Sequence, residues 1–274
     1  MQQKIKKYIK NIIPSFLFKL IGWKTGQGFF GNYKTWNNAL SKSKGYNSPI
    51  ILKKVKDSLL KVKNNNTIYE RDSMIFNKTN KSSPFFYHII KIVSQNDNKL
   101  SIIDFGGSLG STYFQHKDSL IGLKELKWDI IEQNNFVECG KKYFENDHLK
   151  FWLDINTCIR SSKHNVVLFS SSIQYLEKPY EILEEFTEEK IPYIIFDRTP
   201  FWHNDEEERI TVQKIPKRIY RASYPAWILN KEKMKKFFID KGYECVKEIK
   251  SQKKTTTIDT GETIEFDGFV FKIR

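Results

Sequence analysis

Cysteine is scarce in this chain. Cys139, Cys158 and Cys245 are an odd number at wide spacings, which excludes a disulfide framework and the paired spacings of a zinc motif. With no secretory signal in view, that usage points to a reducing, cytoplasmic setting. Acidic residues are scarce in one region only. Residues 1–100 hold 4 Asp/Glu against 19 Lys/Arg, whereas residues 101–274 hold 28 against 27. The net charge of +14 therefore sits almost wholly in the first third. Long apolar runs are missing too: the opening MQQKIKKYIKNIIPSFLFKLIGWK is interrupted by Pro14 and Lys19, and no small-residue cleavage site follows. Neither a signal peptide nor a bilayer span is expected there. What remains is ample for a folded core, with 39% hydrophobic and 15% aromatic residues in 274.

The basic first third implies an anionic partner, namely a membrane surface, a nucleic acid or a phosphorylated substrate, or else a lysine-rich surface kept for solubility. Within residues 1–24, Ile5, Ile9, Ile12, Ile13, Phe16, Leu17 and Leu20 recur at three- and four-residue steps. They form one helical face, with Lys4, Lys6, Lys7, Lys10 and Lys19 largely off it and a kink at Pro14. Such a stripe lies either in the interface of an anionic membrane or on the protein's own core. Residues 25–98 read as an aromatic-rich extension forming a lid or substrate-binding unit, with a helix from Pro49 to about Lys63. In its YERDS stretch, Asp72 or Ser73 is suited to cap a helix running into Met74, Ile75 and Phe76. Glu70 and Arg71 are the candidates there for contacts with substrate.

From about residue 99 to the end, strands alternate with helices. The strands are LSIIDF, KWDIIE, LKFWL, NVVLFS and YIIFD, and the chain closes with YECVKEIK and GFVFKIR as a pair of strands. Asn230 is placed to cap the last helix, KEKMKKFFIDK, and Gly242 to stop it. Short links between such elements predict a mostly parallel sheet covered on both faces. Ligands of such sheets bind beyond the C-terminal strand ends, at the switch point beside the first strand.

The stretch SIIDFGGSLGSTYFQ sits at that point. Asp104 ends the strand, and Gly106, Gly107 and Gly110 let the backbone approach a ligand ahead of a helix with free N–H groups. No Lys-Ser/Thr follows Gly110, which excludes a Walker loop, and the G-x-G-x-x-G frame fails at Ser108 and Ser111. The pattern Asp-x-Gly-Gly-Ser-x-Gly resembles motif I of class I S-adenosylmethionine-dependent methyltransferases, with Ser108 where the middle glycine usually stands. The resemblance implies a Rossmann-like α/β fold, a seven-stranded, mostly parallel sheet with an antiparallel C-terminal hairpin. It implies S-adenosylmethionine as cofactor and S-adenosylhomocysteine as product. It places Asp104 toward the amino-acid end of the cofactor and Glu132 on the ribose hydroxyls. Asp154 would meet the adenine amino group, and Ser170 opens the FSSSIQYLEKP stretch that lines the pocket.

More narrowly, GNYKTWNNAL, GYNS, YERDS, DFGGSLGS, WDIIEQ and IIFDRTPFW resemble a family of bacterial methyltransferases associated with surface-polysaccharide gene clusters, over nearly the whole chain from about Gly22. That resemblance implies O-methylation of a saccharide or glycolipid acceptor, by a cytoplasmic protein or one on the inner face of the membrane. The Asp/Asn-Pro-Pro-Tyr/Phe turn of many amine methyltransferases is missing, since Ser170 to Tyr175 occupy its place. In the loop expected after the fifth strand, FDRTPFWHNDEEER, His203 and Asp197 are the candidate catalytic residues; Arg198 and Trp202 are candidates for holding a charged group and a sugar ring. Arg218 and Arg221 are further candidate anion contacts. His88, His116, His148 and His164 show no ligand spacing, so no metal is expected. Two other readings keep the fold: a nucleic-acid methyltransferase using the basic first third, and a non-catalytic binding module. Nothing in the sequence sets an oligomeric state.

Overall fold

A computed structural model describes residues 27–45, 49–65, 68–71, 73–77, 83–202, 207–216, 219, 222–250 and 256–274. The amphipathic start, residues 1–24, lies outside them. The strands are β1 (Gly28–Tyr33), β2 (Ile68–Arg71), β3 (Met74–Asn77), β4 (Lys99–Phe105), β5 (Glu125–Ile131) and β6 (Leu149–Trp152). They continue as β7 (Val166–Ser170), β8 (Tyr193–Trp202), β9 (Arg209–Lys214), β10 (Ser223–Ile228), β11 (Tyr243–Ile249), β12 (Thr256–Thr257) and β13 (Thr263–Ile273).

The main sheet runs in the order β6, β5, β4, β7, β8, β13, β11, and β12 pairs with β13 outside that path. Pairings from β6 to β8 are parallel, while β13 is antiparallel to both β8 and β11. Strands buried on both faces must be apolar at successive positions, and Leu100 to Ile103 show why. Ile102 joins a core cluster with Trp128, Val166 and Leu168 on one face, and Ile103 joins Val167, Phe169 and Phe196 on the other. Helix Lys231–Asp240 begins at Asn230, whose side chain accepts from the Lys233 N–H at 2.8 Å, as its position in the sequence predicts. Gly242, at φ +85°, follows the end of that helix.

Helices Pro49–Lys63 and Pro84–Gln95 bury Val55, Leu59, Val62, Phe86 and Ile89 in the same cluster as Trp128. The segment read as an extension thus shares a core with the sheet.

Two local expectations are corrected, and one sheet is added. Residues 74–77 form no helix. β2 and β3 are a hairpin with Arg71 opposite Met74, and Ser73 at φ +63° supplies the left-handed residue that a two-residue connection needs. Residues 198–202, read as loop, continue β8, because the long β13 pairs with it as far as Trp202. A further antiparallel sheet, β1–β9–β10, joins the N-terminal segment to residues inserted after β8. Pro225 is tolerated in β10 because, among the described residues, that strand pairs only with β9 and is an edge. Among the described residues, no helix is long and apolar enough to cross a membrane.

Candidate active site

From β4 the chain winds outward to β5 and β6, and from β7 to β8 on the other side. The crevice of this sheet therefore lies between β4 and β7. A cavity of about 590 Å³ opens there, lined by the glycine turn, Glu132 and Ser170 among others. Its size suits a small-molecule ligand.

The turn is shaped by what a side chain would strike. Gly106 has φ +71°, and a β-carbon on it would lie 2.6 Å from Ser172 Cβ. One on Gly107 would lie 2.6 Å from Asp104 Cγ. Ser108 adopts φ +57°, so it fills the middle glycine's place in a conformation that glycine favours. Its N–H donates to Glu132 Oε1 at 3.1 Å, and the Gln133 N–H donates to Oε2 at 2.9 Å. Glu132 is half-buried and lines the cavity. Burial pushes its pKa up to about 7, with the two backbone donors opposing the shift.

Asp104 is placed differently from the expectation. It is 1% exposed and lies beneath the turn, accepting from Trp128 Nε1 at 3.1 Å, so its carboxylate supports the loop instead of facing the cavity. Burial raises its pKa to about 7, helped by the nearby Glu132 charge and opposed by the Trp128 hydrogen bond and Arg198. Asp154 also has another task. Exposed at the start of helix Ile155–Ser161, it accepts from the Thr157 N–H at 2.9 Å as the N-cap. Leu153, its neighbour, is the residue that lines the cavity.

Ser170, Asp197 and Arg198 come together at the ends of β7 and β8. Ser170 Oγ and Arg198 Nε each donate to Asp197 Oδ2 at 2.9 Å, and Arg198 Nη2 donates to Ser170 Oγ at 2.9 Å. Arg198 sits at φ +53° and Ser171 at φ +59°, a concentration of strained backbone typical of functional sites. Glu70 is 2% exposed, lines the cavity, and accepts from the Ser73 N–H and from the hydroxyl of Ser111 at the start of the helix after the glycine turn. Arg71 lines the cavity as well.

Trp202 offers no face to a sugar. It is 1% exposed, donates from Nε1 to the Glu207 carbonyl at 2.7 Å and lies 4.7 Å beneath the Arg209 guanidinium. His203, Arg218 and Arg221 fall outside the described residues. Tyr224 and Pro225 of β10 line the cavity without having been singled out from the sequence. The aromatic and apolar run SYPAWI was the available signal, masked by its proline. Tyr175, from the FSSSIQYLEKP stretch, packs edge-on against Tyr224 with ring centroids 4.9 Å apart.

Asp129, from β5, meets Cys158 and His164 in the interior, with the ligand atoms of all three within 4.8 Å of one another. Their donor set is one that zinc accepts. Here His164 Nε2 is hydrogen-bonded to Asp129 Oδ2 at 2.9 Å, and Trp152 Nε1 donates to Oδ1 at 2.6 Å. None of the three lines the cavity.

No family model matches the sequence, and no curated protein sequence matches it. Solved structures do. The N-terminal domain of EvdMO1, crystallised in the presence of S-adenosylhomocysteine and D-fucose, matches with a TM-score of 0.50 at 12% identity, over 81% of this chain and 97% of that one. The same domain with S-adenosylhomocysteine bound matches at 0.50 and 11% identity, with the same coverage. This is the Rossmann-like fold of class I methyltransferases. A third structure, an S-adenosylmethionine-dependent methyltransferase from Clostridium acetobutylicum ATCC 824, has a TM-score of 0.41 at 12% identity, over 69% of this chain and 91% of that one. Within the methyltransferase fold found here, the closing β11–β13 hairpin and the glycine turn after β4 stand where the sequence pattern had put them.

Proposed function

We propose that the chain transfers a methyl group from S-adenosylmethionine to a hydroxyl of a saccharide, on a cell-surface polysaccharide or its lipid- or nucleotide-linked precursor. The observation that carries this reading is the Glu132 carboxylate. It is fixed by two backbone N–H groups and faces the cavity beside a turn too tight for side chains at Gly106 and Gly107. Each of its oxygens has a lone pair left for one of two neighbouring hydroxyls, as on a ribose. S-adenosylmethionine, when bound, supplies an electrophilic methyl group on a sulfonium.

On the acceptor side, a hydroxyl must lose its proton as its oxygen gains the methyl group. Asp197 is buried behind Ser170 and Arg198, which line the cavity, and is the candidate to orient that hydroxyl or take the proton through them; His203 is the other candidate base. Tyr175, Tyr224 and Trp36 put aromatic surface on the cavity wall, which suits the apolar faces of a sugar ring. The EvdMO1 domain, whose fold is similar, was crystallised in the presence of D-fucose beside S-adenosylhomocysteine, which agrees with a saccharide acceptor.

Calorimetric titration with S-adenosylmethionine, S-adenosylhomocysteine and, as control, NAD tests the cofactor half. Micromolar binding of the first two and none of NAD is expected; binding of NAD alone would overturn it. Radiolabelled methyl transfer to saccharide acceptors tests the other half.

A further inference from the structure

We propose that strand β3 and the lysine-rich helix Pro49–Lys63 together form a docking surface for an anionic membrane, which holds the mouth of the cavity against lipid headgroups. Met74, Ile75 and Phe76 are three consecutive large apolar residues, 37%, 38% and 43% exposed. They lie on a strand whose only sheet partner among the described residues is β2. Scattered single apolar residues are ordinary on a surface, but Met74 and Phe76, two apart on a strand, share one face, and Ile75 adds apolar area on the other face of the same hairpin.

Cationic side chains border that patch. Ser58 Oγ donates to the Ser73 carbonyl at 3.0 Å, tying the hairpin turn to the helix. Lys54 and Lys61 stand four residues before and three after Ser58, so they share its row and flank the turn. The helix carries five lysines against the single acid Asp57. Apolar residues that enter the interface beside lysines that attract anionic headgroups are the two components of peripheral membrane binding.

The patch continues to the cavity. Arg71, paired with Met74 across the hairpin, lines it, and so do Leu40 and Leu153, which are 48% and 56% exposed. A nucleic acid offers phosphates for the lysines but no apolar interior for Met74, Ile75 and Phe76, whereas a bilayer interface accepts both. The sequence of residues 1–24 combines apolar and lysine residues in the same way. The surface does not depend on which cofactor the cavity takes.

Flotation of the full chain with vesicles tests the proposal. One set is phosphatidylcholine alone and the other contains phosphatidylglycerol as well. Binding is expected to the anionic vesicles only, weakening as salt is added. The separate pair Lys54→Gln, Lys61→Gln should lower that binding about 25-fold, since one lysine near such a surface is worth roughly fivefold. The triple variant Met74→Ser, Ile75→Ser, Phe76→Ser should lower it about tenfold or more through lost apolar burial. Thermal unfolding and cofactor titration should match the parent chain; if the triple variant does not fold, the lysine pair decides alone. Equal binding to both vesicle types overturns the proposal. So does parental binding by the variants, which would assign the membrane contact to residues 1–24. Binding to an oligonucleotide that the lysine pair abolishes, with none to vesicles, would make the partner a nucleic acid.

Discussion

The carboxylate of Asp104 lies directly beneath Gly107, close enough that a β-carbon on the glycine would fall 2.6 Å from Asp104 Cγ and 2.7 Å from Oδ2. Trp128 Nε1 pins that carboxylate from the side. The acid and the glycine are therefore one unit: the acid fixes the height of the loop, and the missing side chain lets it settle there. The exposed upper surface of the turn is left for a ligand.

Replacing Gly107 by alanine should destabilise the fold by about 1–3 kcal/mol, because neither the pinned carboxylate nor the loop can move aside without strain. Cofactor affinity should fall with it. Thermal unfolding and calorimetry read the two effects, and an unchanged melting temperature would show the loop to be looser than this contact implies.

Asp104 also predicts a pH dependence. Its ordinary pKa of 3.8 is raised to about 7 in the folded state. A carboxyl raised on folding contributes stability below its unfolded pKa, and loses it as pH rises through the folded one. Unfolding free energy should therefore decline between about pH 4 and pH 7. Asp104→Asn keeps an acceptor for Trp128 without the charge, so it should flatten part of that decline. Above pH 7 it should exceed the parent by about 2 kcal/mol, roughly half the full linkage value. Denaturant titrations across pH check it; parallel curves would show that the charge is solvated.

Glu132 gives a binding signature. Both of its oxygens accept from hydroxyls only when it is ionised, and its folded pKa lies near 7. Affinity for S-adenosylhomocysteine should weaken as pH falls from 8 to 6. Glu132→Gln should lower affinity at pH 8 about tenfold or more and remove most of that dependence, the scale of one charge-assisted hydrogen-bond pair. A variant that binds like the parent would move the ribose contact elsewhere.

Asp154 separates structure from ligand contact. As the N-cap of helix Ile155–Ser161 it should cost about 1 kcal/mol of stability when changed to alanine, with cofactor affinity unaltered. A loss of affinity without a loss of stability would restore the adenine contact that the sequence pattern suggests.

Much of the fold was legible in the sequence because its signals are local. Leu100 to Ile103, the glycines after Asp104, the Asn230 cap and the Gly242 stop each act through neighbouring backbone, so a short window suffices to read them. The resemblance of the glycine turn added the sheet order. Less local features were misread. Met74 to Phe76 read as helical because the left-handed Ser73, which makes a hairpin, leaves no mark in composition. Sheet β1–β9–β10 joins residues more than 170 positions apart, and its pairing exists only once both ends are folded.

At the site, residue types were set by sequence and their orientation by packing. An acid after β5 and a turn without side chains follow from the order of residues alone. Whether a given acid faces a ligand depends on which strand edge, indole or helix end reaches it first. Trp128 turns Asp104 inward, the free N–H groups of a helix claim Asp154, and two backbone donors leave Glu132 facing the cavity. Those competitions are decided by distances of about 3 Å between residues brought together only by the tertiary fold.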